Sequence, residues 1–194
     1  MITMNNKLRN KAILGFDPGG KKYGEPPAVA LINPKHARNV GAALRACSCF
    51  GIHQLWFSGN RIALNGKHRL PREECMKGYD DVELRQYDYI FDQFADVVPV
   101  AVELRPGSES LADFEHPKNA LYVFGPEDGS LQRVTTQHCH RFVTIPTRHC
   151  TNLAAAVYLV LYDRILKRYK NGLDDLPILA EKRGFEKFMD EEIG

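Results

Sequence analysis

The sequence predicts an α/β fold: a parallel, Rossmann-like sheet with helices on both faces. Three observations predict it. Ala28–Ile32 is apolar throughout, the pattern of a strand buried on both faces, and Ile52–Ser58, Val97–Leu104, Ala120–Phe124 and Phe142–Ile145 are further strand-like runs. Segments of helical period lie between several of these runs, and such alternation implies parallel strands joined by crossovers. Finally, the runs at Ile32, Phe124 and Ile145 stop at Asn33-Pro34, Gly125-Pro126 and Pro146. An open sheet ends in this way where ligands sit, at the carboxyl ends of its strands.

Each element follows from local chemistry. Residues 1–27 predict an irregular basic N-terminal arm, broken by Gly15, Pro18, Gly19, Gly20, Gly24, Pro26 and Pro27. It carries Lys7, Arg9, Lys11, Lys21 and Lys22 against Asp17 and Glu25. Ala28–Ile32 is the first predicted strand. Residues 38–50 predict a helix with Val40, Ala43, Leu44 and Cys47 on one stripe, ended by Gly51. Ile52–Ser58 is the next strand. Residues 60–80 are polar, a long excursion with a short helix around Arg72–Met76. Val82–Tyr87 predicts a short strand, Ile90–Phe94 a piece of helix, Val97–Leu104 a strand and Ser110–Phe114 a short helix. Ala120–Phe124 is a buried-looking strand that stops at Gly125-Pro126-Glu127. Leu131–Gln137 predicts a short helix and Phe142–Ile145 a strand stopped by Pro146. Asn152–Lys170 predicts a long helix with Leu153, Ala156, Val157, Val160, Leu161 and Ile165 facing inward. Residues 171–194 form an acidic C-terminal tail with Asp174, Asp175, Glu181, Glu186, Asp190, Glu191 and Glu192.

Composition bounds the function. The chain has 194 residues, 44% hydrophobic and 26% charged, which fits one globular domain with extensions. A net charge of +2 does not by itself establish a nucleic-acid partner. The arm and the run Arg164, Lys167, Arg168 and Lys170 are the places expected to meet phosphate. No apolar run approaches the ~18–20 residues of a membrane span, and the N-terminus lacks a signal-peptide pattern, so a cytoplasmic location is expected. The five cysteines, Cys47, Cys49, Cys75, Cys139 and Cys150, are an odd number in such a chain and read as reduced thiols. Cys47-Ser-Cys49, His138-Cys139-His140 and His149-Cys150 lack the spacing of a zinc site, so no metal is expected. No G-x-G-x-x-G follows a strand. Gly15-Phe-Asp-Pro-Gly-Gly20-Lys21 imitates a P-loop, but Lys22 replaces the magnesium-binding hydroxyl, and Tyr-Gly-Glu-Pro-Pro cannot open a helix.

Candidate chemistry gathers in three segments at strand ends. The first is Asn33-Pro-Lys-His-Ala-Arg-Asn39-Val-Gly41-Ala-Ala-Leu-Arg45, followed by Phe50-Gly51. The second is Phe124-Gly125-Pro126-Glu127-Asp-Gly129-Ser-Leu131. The third is Ile145-Pro146, then Cys150-Thr151-Asn152-Leu153, running to Leu161-Tyr162-Asp163. Residue by residue, plainer readings stand beside functional ones. Arg45 fits an exposed ion pair, Asn39 a helix cap, Asn152 a helix start, and Gly125 an ordinary turn after a strand. Six residues separate Asn39 from Arg45, about 120° round a helix, so the two need not share a face.

In this order and spacing, the three segments resemble the motifs of the SpoU/TrmH family of RNA ribose 2′-O-methyltransferases, in the SPOUT superfamily. The resemblance covers roughly residues 28–165 and marks 28–170 as a SPOUT methyltransferase domain. It implies a C-terminal deep trefoil knot, a homodimer, and S-adenosyl-L-methionine as cofactor. It implies that Val102, Phe124, Gly125, Pro126, Ile145 and Thr151 line that cofactor. Arg45 matches the position assigned to activating the ribose hydroxyl, and Asn39, Glu127 and Asn152 match the remaining polar positions. The implied substrate is RNA, with tRNA favoured over rRNA by the Phe124-Gly-Pro-Glu127 spelling and the small core. Two departures stand out: Cys150 replaces a customary serine, and the loop from Pro146 to Asn152 is short. They motivate a rival reading, a non-catalytic RNA-binding homodimer of the same fold. A base-methylating enzyme of the superfamily is a third.

Overall fold

The structure, a computed structural model, describes residues 13–14, 24, 26–62, 70–76 and 78–174. The P-loop-like segment, most of the predicted arm and most of the acidic tail lie outside them. The elements in chain order are β1 (Ile13–Leu14), β2 (Ala28–Leu31), α1 (Ala37–Cys49), β3 (Gln54–Phe57), α2 (Arg72–Cys75), α3 (Gly78–Asp81) and β4 (Glu83–Gln86). A 3₁₀ turn (Ile90–Gln93), β5 (Val98–Val102), β6 (Glu109–Ser110), β7 (Ala120–Phe124), α4 (Arg133–Thr136), β8 (Arg141–Thr144) and α5 (Leu153–Lys170) follow.

The strands form one sheet in the order β1-β4-β3-β2-β7-β5-β8-β6. Every neighbouring pair is parallel. The reason is visible in β2, β3 and β7, where every residue is buried. Alternate side chains feed two cores. Val29, Leu31, Leu55, Phe57, Val100, Tyr122 and Phe124 face the core shared with α1 and α5. Ala28, Ala30, Trp56, Ala101, Leu121 and Val123 face a second, smaller core with Ile90, Phe94, Leu131 and Cys139. Burying each large apolar side chain contributes ~1.5–3 kcal/mol. Both long helices lie on the first face. The second is covered by the 3₁₀ turn, α4 and their flanks, because the connections on that side are short.

The central strands end level. Leu31 stands opposite Phe57 and Phe124, and Val102 opposite Phe124 and Val143. One further backbone bond continues each pairing: Ile32 N–H to Phe124 O at 2.9 Å, Ser58 N–H to Leu31 O at 3.0 Å and Tyr87 N–H to Phe57 O at 2.9 Å. The three motif-bearing loops therefore leave one edge of the sheet together.

Three departures from sequence expectation are informative. The predicted arm contributes a two-residue strand, β1, beside β4, and Gly24 bridges Phe94. Glu109–Ser110 is an edge strand on β8 where the period of Leu111 and Phe114 suggested a helix. The basic end of α5 turns inward. Arg164 donates to the Pro117 and Lys118 carbonyls at 2.9 and 3.1 Å. Lys167 donates to the Leu111 and Phe114 carbonyls, and Arg168 pairs with Asp174. Arg164 and Arg168 are buried, so Arg164 and Lys167 tie the helix to residues 111–118 and Arg168 is held by Asp174 rather than waiting for phosphate, whereas Lys170 is exposed.

Beside them lies a polar chain absent from the sequence reading. His116 Nδ1 is 2.6 Å from the Tyr122 hydroxyl, and His116 Nε2 is 2.8 Å from Asp163. Asp163 also meets Lys167 at 2.8 Å. A neutral imidazole satisfies all of this: the phenol donates to Nδ1, and Nε2–H donates to the carboxylate. Burial pushes His116 down to about 4 despite Asp163, and burial pushes the Tyr122 phenol up to about 12.

Candidate active site at the carboxyl ends of the central strands

Glu127 is the hub. It follows β7 by three residues, so its carboxylate emerges where the chain leaves the sheet. One oxygen accepts the Lys35 N–H at 2.6 Å; the other accepts the His36 N–H at 3.2 Å and the Asn39 side-chain amide at 2.7 Å. The acceptor site explains the acid. α1 begins after His36, and His36 gives no side-chain cap. The helix start and its free N–H groups favour negative charge, and Glu127 supplies it from another part of the chain. Burial alone would raise its pKa. The Lys35 N–H, the Asn39 amide and the His36 N–H outweigh that and hold it below the usual carboxylate range. Glu127 is therefore ionised near neutrality.

The relay continues through Asn39, which is buried on α1. Its amide nitrogen donates to Glu127, and its carbonyl oxygen accepts from Asn152 Nδ2 at 3.1 Å. Asn152 Oδ1 in turn caps α5, accepting from the Ala154 and Ala155 N–H groups at 2.9 and 3.3 Å. Asn152 is thus a helix cap and a link at once. Asn39 is not a cap, since it lies inside α1. The three sequence segments meet in one chain of bonds: Asn152 to Asn39 to Glu127 to the Lys35–His36 backbone.

Arg45 stands apart from this relay. It is exposed on α1, about 9 Å along the helix axis from Asn39 at 1.5 Å per residue. Burial raises the Tyr158 phenol on α5, and the Arg45 charge works against that rise. Val102, Phe124 and Ile145 sit at the ends of the adjacent strands β5, β7 and β8, with Phe124 buried and the other two partly buried against the same core. Gly125 and Pro126 are half-buried, while Thr151 and Cys150 are exposed. A Cβ on Gly125 would meet Leu131 at 3.4 Å, a tight but not prohibitive contact.

Sequence reading missed the supports. Asp128 takes two bonds from Arg61 at 2.8 and 2.6 Å, and its other cation is Lys35 at 3.3 Å. The Arg61 guanidinium, then Lys35, hold the Asp128 carboxyl far below its ordinary range. Glu103, just past β5, accepts the Leu131 N–H at 2.8 Å and closes the loop after Pro126. Gly59 (φ +83) packs on Asn33, and an added Cβ would lie 2.3 Å from the Asn33 side-chain oxygen. The adjacency of Asp128 to Glu127 was a signal available in the sequence. Lys35 and His36 act on Glu127 through backbone N–H groups, which leave no side-chain signal. Among the described residues, no three His, Cys, Asp or Glu side chains gather as a metal site, and no helix is long and apolar enough to cross a membrane.

Comparison with known proteins extends this geometry. The chain is 26% identical over 189 residues to the tRNA (cytidine-2′-O-)-methyltransferase TrmJ of Methanocaldococcus jannaschii, covering 84% of this chain and 81% of that protein. Its structure resembles that of the A. aeolicus TrmH/SpoU tRNA modifying enzyme, with a TM-score of 0.66, 19% identity and 89% of each chain covered. It also resembles the SpoU methyltransferase AviRb from Streptomyces viridochromogenes in complex with AdoMet, with a TM-score of 0.64, 19% identity, and 79% of this chain and 65% of that one covered. At these identities the solved structures establish the fold. The sequence model of the SpoU rRNA Methylase family matches residues 26–162, which include Asn39, Arg45, Glu127 and Asn152, and the chain belongs to that family.

Proposed function

We propose that this chain is an S-adenosyl-L-methionine-dependent methyltransferase that modifies a ribose 2′-hydroxyl of tRNA. One observation carries the reading: the Asn152–Asn39–Glu127 relay binds the three motif segments together at the strand ends, with Arg45 exposed on the helix the relay anchors. The name of the M. jannaschii relative supports tRNA and the ribose hydroxyl. The AdoMet complex of AviRb supports the cofactor.

The residues present suit that cofactor. Val102 and Ile145 leave apolar surface partly open at neighbouring strand ends, Gly125 adds no side chain, and the loops there offer backbone polar groups. In this reading Val102, Phe124, Gly125, Pro126, Ile145 and Thr151 hold the cofactor, which supplies an electrophilic methyl group. Arg45 orients the ribose hydroxyl and a neighbouring phosphate, and its charge favours the developing alkoxide. Asn39, Glu127 and Asn152 fix the helix that carries Arg45.

Five further features belong to the proposal. A C-terminal trefoil knot is supported by the non-sequential order β7-β5-β8 and by the packing of α5 against α1. A homodimer is supported by the outer surface of those helices, where Phe50 meets Tyr158 and Tyr162, and Tyr162 and Leu159 are 54% and 41% exposed. A cytoplasmic location, a basic arm (1–27) that meets phosphate and an acidic tail (171–194) flanking the methyltransferase domain (28–170) complete it.

The test is transfer of labelled methyl from S-adenosyl-L-methionine to total tRNA, followed by nuclease mapping. A 2′-O-methyl group blocks alkaline cleavage at its 3′ phosphate. Arg45→Ala is expected to abolish turnover while cofactor binding, read by calorimetry, is retained. Absence of transfer to tRNA and rRNA at both low and physiological salt overturns the reading.

A further inference from the structure

Two tyrosines follow the end of β4: Tyr87 is partly buried against the second core, and Tyr89 is exposed beside it. Tyr89 is 70% exposed, and its ring meets Tyr87 edge-on at 6.2 Å and 69°. They follow β4, which ends level with β3, β2 and β7. From the β4 end to the β7 end is three strand spacings, about 14 Å at ~4.8 Å each, a span a few nucleotides long. The backbone beneath the pair is held at several points. Tyr87 N–H bonds Phe57 O at 2.9 Å, and Asp92 N–H bonds Tyr89 O at 3.2 Å. Asp88 accepts the Gly59 N–H at 2.8 Å. Gln86 Nε2 donates to the Gly59 and Ile62 carbonyls at 2.8 and 3.2 Å. The same 58–62 loop carries Arg61, which is tied to Asp128 beside Glu127. The tyrosine pair and the Glu127 hub therefore share one hydrogen-bonded framework.

We propose that Tyr89, backed by Tyr87, is a stacking platform for an RNA base near the methylated ribose. The inference rests on the function proposed above and adds a substrate contact to it. The chemistry selects a base over a phosphate. The residue before Tyr89 is an acid, Asp88, which disfavours phosphate, whereas an aromatic face accepts any base. A fixed backbone limits the ordering cost of binding. The position lies on the same row of level strand ends as the Glu127 hub, where ligands of such sheets bind, and this favours RNA over a protein partner.

Base–aromatic stacking corresponds to roughly a 5- to 150-fold loss of affinity on truncation to alanine. The experiment measures tRNA binding to the full-length protein, by filter retention across a salt series, for wild type, Tyr89→Ala and Tyr89→Phe. Tyr89→Ala is expected to weaken binding within that range at every salt concentration, with an unchanged slope of log K against log salt, because no phosphate contact is lost. Tyr89→Phe is expected to bind like wild type. Cofactor affinity and the thermal midpoint should be unaltered in both. The proposal is overturned if Tyr89→Ala binds tRNA normally, if Tyr89→Phe is as weak as the alanine variant, or if the salt slope falls. Because the readout is binding, failure of the platform is distinct from failure of the methyl-transfer reading, which labelled transfer by the wild type decides.

Discussion

Asn39→Asp is the sharpest test of the relay, because it keeps the shape and changes one atom. The Asn39 carbonyl can still accept from Asn152, but the donor facing Glu127 becomes an oxygen. Two carboxylate oxygens at the present 2.7 Å would repel by about 6 kcal/mol at an effective dielectric of about 20. Losing a hydrogen bond to a charged group adds roughly 1.5–3 kcal/mol. The carboxylate of Glu127 is half-exposed, so water screens the pair and the side chains separate; a net loss of about 3 kcal/mol at pH 8 is expected. The pair escapes by sharing a proton, which raises its folded-state pKa above the ~4 of an unfolded Asp or Glu. The folded variant then binds more protons than the unfolded chain, so its stability falls as pH rises through that raised pKa. Its deficit against wild type should therefore be large at pH 8 and smaller at pH 5. Asn39→Ala, which removes the bond without adding charge, should show a deficit of about 1–3 kcal/mol that does not shrink on acidification. Urea unfolding of the three proteins at both pH values is the assay. Equal deficits for the two variants at both pH values would refute the placement of Asn39 against an ionised Glu127.

Other perturbations probe the frame. His116 is neutral when folded, taking a proton only near pH 4 instead of its ordinary 6.5. Stability should be full above about 6.5 and should fall by about 3 kcal/mol as pH drops towards 4, at 1.36 kcal/mol per pKa unit; an NMR titration placing this imidazole near 6.5 would contradict it. Gly59→Ala must bear both a left-handed φ and the Asn33 contact, and should cost about 3 kcal/mol in urea unfolding. Gly107→Ala has φ +81 but nothing within 4 Å, and should cost only about 1 kcal/mol. Arg164→Ala should lower stability by about 2–3 kcal/mol, since two carbonyls lose a charged donor, while leaving tRNA affinity unchanged. A fall in tRNA affinity with unchanged stability would return that residue to the RNA surface.

What could be read in advance follows from whether a signal is local. Ala28–Ile32 and Ala120–Phe124 were legible because burial on both faces leaves no polar residue to confuse the period. Leu111 and Phe114 misled because spacing of three suits a helix turn, yet Glu109–Ser110 pairs along β8. Arg164 and Arg168 extend the buried stripe of α5 past Leu161 at helical spacing, but charge makes such positions look exposed. Asn39, Glu127 and Asn152 could be named only through the ordered set of motifs, because 88 residues separate the first pair and 113 separate Asn39 from Asn152. Arg61 and Asp128, 67 apart, had no such set to reveal them. The pairing of distant polar atoms is written in the topology of the sheet, not in any window of sequence.

The electrostatics of the hub also narrow the proposed chemistry. A catalytic base must be a ready proton acceptor near the working pH. Glu127 is not: its pKa is lowered, and three donors already occupy its oxygens. The amides of Asn39 and Asn152 do not titrate in this range. An arginine guanidinium is a cation and a poor proton acceptor, which leaves Arg45 no role as a base. What these residues supply is placement. Glu127 anchors the start of α1, Asn39 and Asn152 lock that helix to α5, and Arg45 projects from it as an exposed side chain. A cation lowers the energy of an alkoxide as it forms without accepting the proton itself. Under the proposed function, the proton of the ribose hydroxyl would therefore leave towards water or the RNA phosphate, with Arg45 beside the oxygen it leaves behind.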